Sequence, residues 1–256
     1  DTSSAFASPD GNSGWISGTS HTFTGLSTGT TYYYHVKARE NGGTSTWNST
    51  GSMSSGAAWD VNSGEGLITL DDGRVLALTN TSGSLEVFYP ATGTWSAVPN
   101  PGYRSGGAAV KLGNGKILWA GGWNSSPLSS SYLFDPATNT WTSTGSLNHS
   151  RVDAQVILLD SGKALIVGGW YGSGGTGEYR TSCELYDPTT GTWTLTGSLN
   201  EMRHYMPVVK LANGKVFVSG GYSGTPGTFR YTAELYDPVS GTWSLTGSMS
   251  SPLNRH

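Results

Sequence analysis

The chain has 256 residues, a net charge of −3 and charged residues at only 12%, roughly half the usual share. Phosphate neutralisation needs clustered Lys and Arg and the sequence has no basic run, which sets nucleic acid aside. No apolar stretch approaches the roughly 18 residues of a membrane span, so no membrane insertion is expected in this region. A single cysteine, Cys183, excludes an internal disulfide framework and a multi-cysteine zinc site. In place of charge stand 38 Gly, 11 Pro, 10 Trp and 13 Tyr. Helical periodicity is absent, and short apolar runs are bounded by Gly, Asn, Asp and Pro, which predicts an all-β chain. Starting at Asp1, without initiator Met or leader, the sequence reads as a window onto a longer protein.

Residues 1–50 come first. The stretch LSTGTTYYYHVKAR (26–39) resembles the fibronectin type III pattern in which Leu, Gly-Thr and Tyr form a corner. The resemblance implies that Tyr32, Tyr34, Val36 and Ala38 alternate inward along one strand and that ENGGTSTW (40–47) is the closing hairpin. About 50 residues stand where such a domain needs roughly 90 to 100, so only its C-terminal half is expected. Within it Gly25-Leu26-Ser27-Thr28-Gly29 spells a nucleophile-elbow string. That motif needs a strand-to-helix turn and is rejected at a strand corner. Just beyond, Asp60-Val61-Asn62-Ser63-Gly64 begins like a calcium loop but has Glu65 where the sixth position needs Gly.

From residue 51 to 256 a unit of about 50 residues repeats. VFYPATGTW (87–95), LFDPATNTW (133–141), LYDPTTGTW (185–193) and LYDPVSGTW (235–243) place Trp95, Trp141, Trp193 and Trp243 at intervals of 46, 52 and 50 residues. Between them KILWAGG (116–122), KALIVGG (163–169) and KVFVSGG (215–221) end in double glycine, whereas RVLALTN (74–80) carries Thr79 and Asn80 there. Each unit reads as four strands. A first run such as AAVKL (108–112), AQVILL (154–159) or PVVKL (207–211) turns at Asp72-Gly73, Asn114-Gly115, Ser161-Gly162 or Asn213-Gly214. Such pairs suit two-residue hairpins with positive φ at both positions. The second strand ends at Gly-Gly, where side chains would block a neighbouring backbone. A variable Ser/Gly-rich loop, a third strand ending in Tyr-Asp-Pro and a fourth starting at Trp complete the unit. One four-stranded sheet cannot hide both faces, so successive sheets must stack, and radial stacking gives a β-propeller.

Four apolar residues, a double glycine, and then Tyr and Trp seven positions apart (Tyr186/Trp193, Tyr236/Trp243) resemble the kelch repeat. The resemblance covers about 57–256. It implies a kelch propeller with blades near 57–98, 101–147, 148–199 and 200–248 and the start of a fifth at 250–256 in an incomplete ring.

In an up-and-down blade the turns after strands one and three share one end. The loops 123–131, 170–182 and 222–231 share the other with the junctions between blades. Varied loops on a rigid scaffold are where binding usually lives. Two features meet there. Arg104, Arg151 and Arg203 each lie 17 positions before a glycine pair, and Trp123, Trp170 and Tyr222 directly follow one. Some kelch proteins hold acidic peptides with arginines at this inter-blade position, so the resemblance points to the three arginines as ligand contacts. Guanidinium groups suit carboxylate or sulfate ligands. The competing reading has them bond backbone carbonyls of the next blade and knit the ring together. The aromatics read either as a sugar-stacking platform or as lids over blade interfaces.

Copper-radical oxidases resembling galactose oxidase share the scaffold. Their pattern has a radical tyrosine in Arg-x-Tyr at a blade start, cross-linked to a cysteine of the preceding blade. Arg203-His204-Tyr205 matches the tyrosine, and His204 and Tyr205 join the candidate ligand contacts, but the cysteine position falls on Asp153. Cys183, where the next repeat has Ala233, reads as a small buried residue. Asp135, Asp187 and Asp237 sit in repeated turns, where they most simply cap amides. The five histidines lack ligand spacing, so neither a metal nor a cofactor is assigned. Asn48, Asn80, Asn124 and Asn148 begin Asn-x-Ser/Thr strings.

Few lysines, one cysteine and the fibronectin-like neighbour favour an exported, bacterial cell-surface protein. The expected function is recognition or adhesion, the propeller binding a protein or glycan on its variable-loop face. A secreted galactose-oxidase-like or other carbohydrate-active enzyme is the main rival, and self-assembly into a surface layer or filament is the third reading.

Overall fold

The computed structural model describes the backbone of 39–40 and 43–44 and residues 66–78, 85–172, 177–223 and 228–251. The chain divides into two compact units, Asp1–Ser49 and Thr50–His256. In the first, strands β1 (Arg39–Glu40) and β2 (Gly43–Thr44) pair antiparallel. The remainder of the fibronectin-like expectation, the residue 60–65 loop and the Thr79-Asn80 position lie outside the described residues, as do Asn48 and Asn80.

The described residues of the second unit form only strands, turns and loops. Four four-stranded antiparallel sheets follow one another, each with its strands in chain order. The first sheet holds β3 (Leu67–Thr69), β4 (Val75–Ala77), β5 (Leu85–Tyr89) and β6 (Thr94–Val98). In the second, β7 (Ala108–Lys111) and β8 (Ile117–Ala120) are separated from β11 (Ser131–Asp135) and β12 (Thr140–Thr144) by a small ribbon of β9 (Trp123–Asn124) and β10 (Ser126–Pro127). The third sheet has β13 (Gln155–Leu158), β14 (Ala164–Val167), β17 (Cys183–Asp187) and β18 (Thr192–Thr196), with ribbon β15 (Trp170–Tyr171) and β16 (Glu178–Tyr179). The fourth has β19 (Val208–Lys210), β20 (Val216–Ser219), β23 (Ala233–Asp237) and β24 (Thr242–Thr246), with ribbon β21 (Tyr222–Ser223) and β22 (Thr228–Phe229). The ribbons are pairings that the Ser/Gly-rich loops did not announce.

The four tryptophans are equivalent. Trp95, Trp141, Trp193 and Trp243 stand opposite Phe88, Phe134, Tyr186 and Tyr236 in register, with ring centroids 5.0–5.2 Å apart. Three apolar clusters lie between successive sheets. Leu165, Val167 and Cys183 of the third sheet, for example, pack on Val216, Val218, Tyr236 and Trp243 of the fourth. The first strands β7, β13 and β19 lie side by side, as blades about an axis require.

The Gly-Gly pairs are explained by close backbone approach. A Cβ on Gly121 would lie 2.6 Å from the Arg151 carbonyl oxygen of the next blade, and one on Gly168 the same distance from that of Arg203. Gly145 and Gly197, at the ends of β12 and β18, donate across the same interfaces to the Gly191 and Gly241 carbonyls at 2.9 Å. The hairpin turns differ from expectation. Only the glycine has positive φ (Gly73, Gly115, Gly162, Gly214, +80° to +84°). The loop has three residues, with the Gly115 amide on the Leu112 carbonyl and the Leu112 amide on that of Lys116. This is the type I turn closed by a left-handed residue, which lets Asn114 accept from the Lys116 amide instead of taking positive φ itself.

Candidate functional site

The two ends of the blades differ in chemistry. At the hairpin end stand all five lysines among the described residues, Lys111, Lys116, Lys163, Lys210 and Lys215, together with six of the seven aspartates. Lys116–Asp135, Lys163–Asp187 and Lys215–Asp237 pair within blades at 3.0–3.1 Å, and Lys111–Asp71 and Lys210–Asp160 pair between them. The aspartates at 135, 187 and 237 also cap the amides of Ala137, Thr189 and Val239 at 2.9 Å, as expected of them.

At the other end the ribbons and junctions present aromatic, methionine and arginine side chains. Tyr103, Tyr171, Met202, Phe229 and Tyr231 are 40–54% exposed. Trp123, Trp170 and Tyr222 are half-buried, each joined through its backbone to the junction residue of its own blade: Ser105, Val152 and His204. Rings run in contact across three blades. Trp123 meets Trp170 at 5.8 Å. Tyr179, cross-strand partner of Trp170, lies 4.6 Å from His204. His204 contacts Tyr205 at 4.2 Å and Tyr222 at 5.3 Å, and Tyr222 meets Phe229 at 5.4 Å. His204 is buried, its Nδ1 2.8 Å from the Tyr222 carbonyl oxygen. Burial and the neighbouring Tyr222 push the Tyr179 phenol above its ordinary value.

The three arginines are corrected by the structure. Arg104, Arg151 and Arg203 are at most 2% exposed and are not presented as a ring of guanidiniums at a channel mouth. Arg151 donates through one terminal nitrogen to the carbonyls of Gly168 (2.8 Å) and Ser182 (2.7 Å), and through the other to Ser182 Oγ and to Glu184 at 2.7 Å. Arg203 repeats this with Gly220, Thr232 and Glu234 at 2.9–3.0 Å, and Arg104 with Gly121, Ser130 and the Ser130 hydroxyl. In blade 2 Tyr132 stands where the later blades have Glu, its ring 4.7 Å from the Arg104 guanidinium. The carbonyls thus belong to the arginine's own blade, not the next. Their role is to clamp the Gly-Gly end of the second strand to the start of the third.

Glu184 and Glu234 complete the clamp and were not singled out in the sequence. Glu184 accepts from the Asn148 amide and side chain (2.8 and 2.9 Å) and from the His149 amide (3.0 Å); Glu234 accepts likewise from Asn200 and the Glu201 amide. Burial raises the Glu184 carboxyl, but the Asn148 bonds, the Arg151 charge and the His149 amide outweigh it and hold the group below the usual value. Ser-Leu-Asn repeated before Arg151 and Arg203, matched with Glu before Leu-Tyr-Asp in the same two blades, was the available signal. Asn148 is committed to this clamp, whereas Asn124 is exposed on its ribbon.

The copper-radical pattern is not completed by these residues. Asp153 and Tyr205 occupy equivalent backbone positions, so a carboxylate stands where the thioether needs sulfur. Cys183 is wholly buried between blades 3 and 4.

Four-stranded sheets stacked about their first strands, each with Gly-Gly, Tyr/Phe and Trp in equivalent places, define a β-propeller of kelch type. The kelch motif model matches residues 104–148, 160–200 and 205–250, and the chain belongs to the kelch-repeat family. It is 35% identical over 133 residues to an F-box/kelch-repeat protein of Arabidopsis thaliana, covering 50% of this chain and 34% of that protein. It is 34% identical over 116 residues to kelch-like protein 28 of Mus musculus, covering 43% and 20%. The match thus spans about a third or less of these relatives' lengths. The solved structure of YjhT superposes with a TM-score of 0.61 at 17% identity, over 75% of this chain and 67% of that one. Kelch repeats generally mediate protein–protein interaction.

Proposed function

We propose that this chain is the recognition or adhesion part of an extracellular, cell-surface protein, binding a protein or carbohydrate through the ribbon face of its propeller. In this reading residues 1–50 are half of a fibronectin-like spacer, and the four described sheets are blades of a ring that continues with a fifth. The observation that carries the reading is the polarisation of the propeller. Binding surfaces are enriched in Tyr, Trp, Phe, Met and Arg and depleted in Lys and Asp, and the ribbon face has that composition while the hairpin face has its inverse. Large exposed aromatics also supply most of the energy at interfaces.

The test is a panel of extracellular-matrix proteins and neutral and acidic glycans, probed with wild type and two variants. One replaces Tyr103, Met202, Phe229 and Tyr231 by Ser; the other replaces Lys163 and Lys215 by Ser. Binding lost in the first and kept in the second is expected. Binding lost only in the second moves the site to the hairpin face and refutes the reading. Surface location is tested separately by protease shaving of intact source cells, which should remove the protein.

A further inference from the structure

The second residue after each clamping arginine has a left-handed backbone: Gly106 at φ +65°, Asp153 at +53° and Tyr205 at +52°. Glycine adopts this region freely and Asp tolerates it. For a bulky side chain it is an outlier. The left-handed backbone recurs at this position in the three described junctions, filled by glycine in blade 2 and aspartate in blade 3, and blade 4 has a tyrosine. Such outliers persist where the surroundings enforce them and the side chain has a use.

The place of Tyr205 indicates the use. It is half-buried, its ring tilted at 40° against His204 in the ring track that includes Tyr179, Tyr222 and Phe229. The described charged groups of this face in blades 2 to 4 balance, five arginines (Arg104, Arg151, Arg180, Arg203 and Arg230) against Asp153, Glu178, Glu184, Glu201 and Glu234. Arg151 and Arg203 are held by Glu184 and Glu234, Arg230 lies 3.6 Å from Glu201, and the Arg180 guanidinium sits over the Tyr171 ring at 4.6 Å. The lysines among the described residues are all at the opposite end. A face of this kind offers large apolar area and hydrogen-bonding ring edges with its charges balanced, and balanced charge gives little electrostatic steering.

We propose that Tyr205 is a partner-contacting residue, retained in a left-handed backbone for its side chain, and that the partner is an uncharged, apolar protein segment and not an acidic one. This rests on the ribbon-face reading above and names the chemistry of its ligand. The test uses the full 256-residue chain, panned against a phage-displayed library of random 16-residue peptides. Binding of the enriched peptides is then measured from 50 to 500 mM NaCl for wild type, Tyr205→Gly and Phe229→Ala. Enriched peptides should be poor in Asp and Glu, with affinity changing less than about twofold across the salt range. Tyr205→Gly should weaken them at least tenfold while melting at an equal or higher temperature, since glycine relieves the backbone.

An acidic consensus with steep salt dependence, enrichment of no peptide, or capture of neutral hexasaccharides alone overturns the proposal. So does a Tyr205→Gly variant that melts lower and binds as wild type, which would make the ring structural. Acidic peptides that lose binding in Phe229→Ala would sink this inference while leaving the ribbon-face reading standing. Peptides indifferent to every ribbon-face substitution would sink both.

Discussion

The arginine clamp makes the sharpest prediction, on Arg151→Met. The substitution keeps an unbranched side chain but removes five hydrogen bonds, three of them to backbone carbonyls, and leaves the Glu184 carboxylate without its cation. Breaking a buried pair from one side costs about 3–5 kcal/mol, because the remaining charge is desolvated and uncompensated. In a unit of this size about 1 kcal/mol moves the midpoint by roughly 2–4 °C, so the variant should melt about 6–20 °C lower. Replacing Glu184 by Gln in the same chain keeps the acceptor for Asn148 while removing the stranded charge. With the amide oxygen toward Asn148 it gives up the His149 bond, and removal of the buried charge should still return about 1 kcal/mol of that loss. The exposed Lys163–Asp187 pair is the control, and Lys163→Met should leave the midpoint where it was. Tryptophan fluorescence in urea follows all four proteins. An Arg151→Met variant within about 0.5 kcal/mol of wild type would show that Arg151 is not a structural clamp and would return it to the list of ligand contacts.

Other consequences follow from the same geometry. Trp193 is 6% exposed and its Nε1 donates to Ser131 across the blade interface, so Trp193→Ala should cost about 3–5 kcal/mol, while Trp123→Ala on the ribbon should cost little in the same urea melts. A Cβ on Gly197 would lie 2.2 Å from the Gly241 carbonyl oxygen of the next blade; Gly197→Ala should lose about 1–3 kcal/mol, whereas Gly113→Ala, with nothing within 4 Å, should gain about 0.4–1 kcal/mol by restricting the unfolded chain. Burial pushes the Cys183 thiol up to about 12, so it should resist iodoacetamide at pH 8 until urea unfolds the propeller. Asp72 is held low by Arg74, Asp135 and Asp237 by Lys116 and Lys215, and Asp187 by the Thr189 amide and Lys163; with Glu184 also lowered, the unfolded chain takes up protons first as pH falls. Stability should therefore be complete above about pH 4 and decline below it, through the lowered folded values; a melting temperature that stays flat from pH 5 to pH 2 would contradict this.

The period, the four-strand unit and the equivalence of Trp95, Trp141, Trp193 and Trp243 were legible in the chain, because each depends on spacing and on residues whose backbone demands are local. The same holds for the Gly-Gly pairs and for Asp135, Asp187 and Asp237, which cap amides two residues away. The hairpin turns were half legible. Asn-Gly marks a turn, but whether two or three residues span it depends on strand register, which the rest of the sheet sets. The ribbons were hidden because two-residue strands in Ser/Gly-rich loops have no periodicity to detect. What the three arginines face was decided by tertiary structure alone. Their spacing to the glycine pairs is a sequence fact. Whether a guanidinium at that spacing meets solvent or carbonyls depends on where Ser182 and Glu184, some thirty residues later, come to lie. The division of charge between the two ends is likewise invisible along the chain, since lysines and aromatics alternate within the second, third and fourth repeats and separate only when the strands run up and down through a blade.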